Sequence, residues 1–467
     1  MTLNTSNGHG ENATSIHESA MAALTPNPSP AGGRGGRSES PRDFHVKPAN
    51  PALTPIPSSE RVFGFREHAS LWFSLGVGLL VMQVGAYLVP AMGTQSAVLA
   101  IVIGSLLGAG LLGWVALIGC ERGLSSPALM HQTLGSAFAK LPVILNIVQL
   151  IGWTAFELVV MRDSSTALIK EITGIEATWV PVLTSIFWGL LLVGLASGSM
   201  IGLVRRFVGR FGLPLVVLSL LWLTYQFGMK AHSQGWAALW NKAGDGSMST
   251  IGAIDLVMAM PVSWLPLVAD FARYGKTGAA TVRGTWLGYA IANIWCYALG
   301  VLVVSTVEPG VELVGAILLA QGGLVALGLI LIDEMDNAYG DVYSGAVSLN
   351  FLGNRYSVKI WGIALALLAT ACAIVLPMHS LEPFLLLLSS IFVPLFGVVI
   401  SQLALQGRAT QQNINLVPVL IWLLGIAAFH AAPRLMPELG SALPSLALTL
   451  LLGALYRYSQ RFRLVPA

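Results

Sequence analysis

From Ser70 to Arg457 the sequence alternates between apolar stretches of about 20 residues and short polar connections. A helix of that length crosses a bilayer, and in lipid its backbone polar groups must be satisfied within the segment itself. Twelve stretches qualify: 70–91, 95–119, 141–164, 178–197, 208–228, 251–270, 283–306, 322–350, 357–376, 384–405, 416–433 and 440–457. They predict an all-α membrane protein with about twelve transmembrane helices. Two shorter helical patterns, near 127–139 and 311–320, are expected to lie beside the membrane. Composition excludes the alternative of a water-soluble fold. The chain is 55% hydrophobic and 10% charged, with a mean hydropathy of +0.73, where soluble domains carry about 25% charged residues.

The basic residues orient these spans. Sixteen Lys and Arg, from Arg61 and Arg66 to Arg461 and Arg463, fall on one side. Five fall on the other: Arg162, Lys170, Lys230, Lys242 and Arg434. Positive charge collects on the cytoplasmic face, so an even number of spans with both termini cytoplasmic is expected.

Residues 1–60 differ from the rest. They are rich in Pro, Gly, Ser, Thr and Asn, as in Thr25-Pro-Asn-Pro-Ser-Pro30, and are expected to form a disordered tail before a transporter domain at 61–457. No apolar signal-peptide core is present in them. Residues 458–467 are read as a short cytoplasmic tail.

Several function classes drop out. The net charge of +3 is too small for nucleic-acid binding, and the three cysteines have no metal or disulfide spacing. There is no Ser–His–Asp grouping, HExxH motif or phosphate-binding loop, so neither an enzyme nor a cofactor is expected.

Two spans are interrupted. The first carries Gln83 and Gly85 mid-membrane, and the sixth has Pro261 and Pro266 bracketing Ser263 and Trp264. Proline removes a helical hydrogen bond, and such a break survives in a membrane only inside protein or against a cavity. Breaks five spans apart point to a transporter built of inverted repeats, about 70–228 and 251–405, with extra helices at 416–457.

The eighth span carries an acid cluster, Asp333, Glu334, Asp336 and Asp341. Each acid costs about 2.5–3.5 kcal/mol at a helix centre, so these side chains must face protein, water or a ligand. Asp333, Asn337 and Asp341 recur at i, i+4, i+8 on one face; Asp336 lies on a neighbouring one. Such acids cannot all be ionised together, so they are candidates for coupling to a proton or a compensating cation. Span 3 adds Asn146, Gln149, Trp153 and Glu157 on one side. Amides beside a flat indole suit a planar heterocycle.

In this order the residues resemble the nucleobase–cation symport family, closest to the branch of cytosine permeases and hydroxymethylpyrimidine transporters. The resemblance runs from about Arg61 to Arg457 and rests on Leu71-Trp-Phe73, Gly119-Cys-Glu-Arg-Gly-Leu-Ser125, Asn146-Ile-Val-Gln-Leu-Ile-Gly-Trp153, Ala269-Asp-Phe-Ala-Arg-Tyr274 and Asp341-Val-Tyr-Ser344. It implies a LeuT-type 5+5 inverted repeat plus two helices, in a bacterial inner membrane, as a monomer or weak oligomer. It also implies a substrate site between spans 1, 3, 6 and 8. On that basis Gln149 matches the family's span-3 glutamine, and Asp341 stands where many relatives have Asn. Gln83, Gln149, Trp153, Ser263, Trp264, Asn337 and Asp341 are expected to bind substrate, with Trp264 or Trp153 stacking on it. Asp333, Glu334, Asp336 and Glu157 are expected to serve coupling, chiefly Asp336 or Glu334.

Sodium-coupled relatives use span-8 hydroxyls, where this sequence has Met335 and Asp336. A sodium ion would therefore sit near Val81, Val84 and Asp336, and a proton gains as the coupling ion. The expected function is cation-coupled import of a nucleobase-like heterocycle such as cytosine or hydroxymethylpyrimidine. An amino-acid or amine carrier of the same fold, or a non-transporting membrane sensor, is the alternative.

Overall fold

The computed structural model describes residues 52–198, 212–308, 310–376, 381–404 and 412–462. Among these residues the fold is helical, with a lone β-bridge between Phe63 and Gly275. The helices are α1 (Phe65–Ser74), α2 (Leu79–Ala91), α3 (Thr94–Arg122), α4 (Ser126–Leu134), α5 (Lys140–Thr173) and α6 (Val180–Ser197). They continue with α7 (Leu213–Gln234), α8 (Trp236–Trp240), α9 (Thr250–Ser263), α10 (Val268–Ala272), α11 (Gly278–Thr306) and α12 (Leu313–Leu318). The last are α13 (Gly323–Leu352), α14 (Val358–Val375), α15 (Leu381–Leu403), α16 (Leu416–Leu435) and α17 (Ala442–Phe462).

Each expected span coincides with a helix or a broken pair. Eight described helices are long and apolar enough to cross a membrane, and the pair α1/α2, bent by 61°, makes a ninth. The other three expected spans are α9 with α10, the acid-bearing α13, and α17. The short helices α4 and α12 are trimmed relative to expectation; α4 stops where Gly135 takes a φ of 95°.

Span 1 breaks between Leu75 and Gly78, and span 6 breaks after Ser263, with Pro261 inside α9 and the Trp264–Leu267 turn leading into α10. The freed backbone groups find side-chain partners. At the span-1 break the Leu79 N–H donates to Glu334, and Asn337 Nδ2 donates to the Val77 carbonyl at 3.1 Å. At the span-6 break Gln149 Nε2 donates to the Ser263 carbonyl at 3.2 Å, and Asn146 Nδ2 to that of Pro266 at 3.3 Å. A buried unpaired carbonyl or amide is costly, so polar residues on α5 and α13 make the two breaks tolerable.

α11 lies against α1, α2 and α3. A side chain at Gly300 would run into the Met82 backbone, and one at Gly85 into that of Tyr297. Small residues thus bring the backbones of α2 and α11 into direct contact.

The expected tail boundary at residue 60 is placed too late. Ala52 is buried, with its carbonyl accepting from Ser125 Oγ at 2.5 Å; Ile56 N–H donates to the Gly123 carbonyl at 2.9 Å. Residues 52–60 therefore pack on the end of α3 and the start of α4, and Arg61 Nη1 adds a bond to the Cys120 carbonyl at 3.0 Å. The first 51 residues, Arg205, Arg206, Arg210, Arg408 and the segment from Arg463 lie outside the described residues.

Candidate functional site

The two breaks meet at one cavity. Leu75 and Gly78 of the span-1 break, with Leu80 and Val81 of α2, form one wall; Met260, Ser263 and Trp264 of the span-6 break form another. α5 contributes Trp153 and Glu157, α11 contributes Tyr289, and α13 contributes Asn337 and Asp341. On both α5 and α13 the two wall residues are four apart, one turn along a single face. The space between atoms there is about 400 Å³.

The two indoles are fixed from behind. Trp264 packs edge-on against Trp72 with centroids 5.8 Å apart, and Trp153 against Phe384 at 5.3 Å. Ser263 Oγ is committed to the Met260 carbonyl at 2.7 Å. Other polar atoms are left over. Trp153 Nε1, Glu157 Oε2 and Asn337 Oδ1 are buried without a hydrogen-bond partner among the described residues. Asp341, 3% exposed, shares the wall with the acidic Glu157 and makes no hydrogen bond among the described residues. No basic side chain lines the cavity.

Six of the residues singled out in the sequence thus come together: Trp153, Glu157, Ser263, Trp264, Asn337 and Asp341. Others do not. Gln149, expected to bind substrate, is buried one layer behind, bonded to Asn146 and to the Ser263 carbonyl. The span-3 side chains that face the cavity are Trp153 and Glu157, one and two turns further along. Gln83 is half-buried and off the wall. Asp333 accepts from Ser74 Oγ at 2.9 Å, and Glu334 accepts the Leu79 N–H at the start of α2, so both brace span 1. Of the three residues named for a sodium ion, Val81 is on the wall, while Val84 and the half-buried Asp336 are not. Tyr289 was missed; a lone tyrosine in the apolar run of α11 carries no spacing signal.

Residues 55–450 match the family described as permeases for cytosine/purines, uracil, thiamine and allantoin. The chain belongs to this family. It is a multi-pass membrane permease, not an enzyme. It is 25% identical over 379 residues to a cytosine permease of Escherichia coli O157:H7, covering 76% of this chain and 84% of that one. The cytosine permease of Escherichia coli strain K12 is 24% identical over the same length and coverage. Among solved structures, Mhp1 is similar in fold. Mhp1 is a nucleobase-cation-symport-1 family transporter, seen in a closed conformation with bromovinylhydantoin bound. The TM-score is 0.72 at 17% identity, over 89% of this chain and 97% of Mhp1. The permease therefore has the all-helical LeuT-type fold that the family resemblance implied.

Proposed function

We propose that this permease imports a planar nucleobase-like heterocycle by alternating access, and that protons drive it. The observation that carries the reading is the cavity at the paired breaks: two braced indoles, from Trp153 and Trp264, beside side chains with unmet hydrogen-bonding capacity. Indole faces stack on flat rings, and unmet polar groups read a ring's edge. The cytosine permeases and the hydantoin-bound Mhp1 among its relatives support a substrate of this kind.

The amino-acid alternative is disfavoured on chemical grounds. Carriers of this fold hold an anionic substrate group at the N-terminus of a half-helix. Here the Leu79 N–H at the start of α2 is already taken by Glu334, and no basic residue lines the cavity.

Proton coupling rests on the acids. Glu157 faces the cavity from α5, with its Oε2 buried and unpaired among the described residues. A buried acid on a cavity wall without a basic side chain is suited to carrying a proton. Binding and releasing that proton as the cavity opens to each side would couple it to substrate. The test is uptake into sodium-free proteoliposomes with an imposed inward proton gradient. Accumulation is expected, abolished by a protonophore and lost in Glu157→Gln while substrate still binds. Accumulation that requires sodium and ignores the proton gradient refutes proton coupling.

A further inference from the structure

Away from the substrate cavity, a crevice opens on the outside of the helix bundle where α3, α11 and α17 meet. Leu107, Gly110 and Trp114 of α3 line it, with Trp286 of α11 and Leu446 of α17. Met258 of α9 is its buried floor, whereas Leu107, Trp114 and Trp286 are exposed. Trp286 Nε1 is spent on the Leu106 carbonyl at 3.2 Å, which fixes that indole along the wall. The space between atoms is about 660 Å³, where the share of one water molecule is about 30 Å³. α3 and α11 are both long and apolar enough to cross a membrane, so this surface faces acyl chains rather than water. Apolar walls without partner atoms forfeit dispersion contacts, and a lipid tail restores them.

The crevice has a charged end. Arg283 stands one turn before Trp286 on the same face of α11. It is exposed and makes no hydrogen bond or ion pair among the described residues. Gly113 packs against Val282, which sets Trp114 and Arg283 at one level along the two helices. Glu121, the acid of α3, lies two turns beyond Trp114 beside Gly278 and forms no ion pair with Arg283. Indole rings and long basic side chains are the groups that settle at the headgroup level of a bilayer.

We propose that this crevice binds an anionic phospholipid, with its headgroup phosphate on Arg283 and one acyl tail between α3, α11 and α17. A guanidinium takes a phosphate through two parallel N–H bonds. A zwitterionic lipid also brings a phosphate, but with a cation beside it, so its net pull on Arg283 is weaker. The apolar walls hold the tail, and the arginine selects the charge. Because Met258 lies two residues before Met260 of the cavity wall, the tail also bears on the half-helix α9.

The test uses the purified full-length chain in detergent, with dioleoylphosphatidylglycerol and dioleoylphosphatidylcholine as probes that share their tails. Native mass spectrometry counts the lipid retained, and the melting temperature is followed as lipid is added. The glycerol lipid is expected to bind as one copy per chain and to raise the melting temperature. It should bind about fivefold more tightly than the choline lipid, the gain from about one charge pair at a membrane surface. In Arg283→Gln this preference should fall to about twofold or less, with the tail still held. Gly110→Leu fills the crevice instead, since a Cβ there meets nothing closer than Trp286 Nε1 at 3.9 Å. It should remove the retained lipid of either kind. Equal, unsaturable binding of the two lipids means annular lipid only and overturns the proposal. So does a folded Gly110→Leu chain that retains lipid as its parent does, or an undiminished preference in folded Arg283→Gln. A second copy of the chain in the crevice would appear as a dimer that excludes the lipid, which overturns it too. Should a variant fail to fold, the parent chain's preference and stoichiometry decide.

Discussion

Gln149 and Glu157 sit on the same face of one helix, two turns apart, and have different work. Gln149 supplies a donor to the Ser263 carbonyl freed by the span-6 break, and Glu157 faces the cavity. Gln149→Leu should therefore cost stability, about 1–3 kcal/mol for the stranded carbonyl, more than it alters which rings bind. Thermal unfolding in detergent and a ligand panel would check this. A changed ring preference at an unchanged melting temperature would return Gln149 to the binding wall. The same depth effect runs along α13. Asp333, Asn337 and Asp341 share a face, yet Asp333 is tied to Ser74 and Asn337 bonds the Val77 carbonyl, while Asp341 faces the cavity. Helical period told the sequence reader which face mattered. It carried no information on how far along the helix the cavity lies, because that depth is set by where α1 and α9 break.

At the scale of elements, the span-6 break was legible because proline acts on the backbone locally. The span-1 break falls at Leu75–Gly78, ahead of the Gln83 and Gly85 that the sequence pointed to, both of which lie inside α2. Pro261 and Pro266 marked the span-6 break directly. What the sequence did not reveal is that the acids of α13 hold the span-1 break closed, since a carboxylate accepting a remote N–H leaves no periodic trace. Close helix contact was equally hidden: glycines 85 and 300 look alike to any other in an apolar run. Because a Cβ at Gly300 would press on the Met82 backbone, Gly300→Ala should push α2 and α11 apart. Overpacking of this sort costs about 1–3 kcal/mol. A lower melting temperature is expected, and one equal to that of the parent would mean that the two helices can separate freely.

At the scale of the whole molecule, the chain is held at its entry to the helical domain by residues just before α1. Ala52, Ile56 and Arg61 bond to Ser125, Gly123 and Cys120 around the α3–α4 corner. Deleting Met1–Pro51 should leave membrane abundance and uptake unchanged, whereas deleting Met1–Glu60 should reduce both. Equal behaviour of the two truncations, by immunoblot and labelled-base uptake, would show the corner contacts to be dispensable. α13 has a further consequence. Its first acids clamp the broken helix beside it, and two turns beyond them Asp341 faces the cavity. Substitutions near its start would thus be purged as misfolded, while those at Asp341 could accumulate and retune what is carried. Along a single helix, then, descendants of this permease could change diet without changing shape.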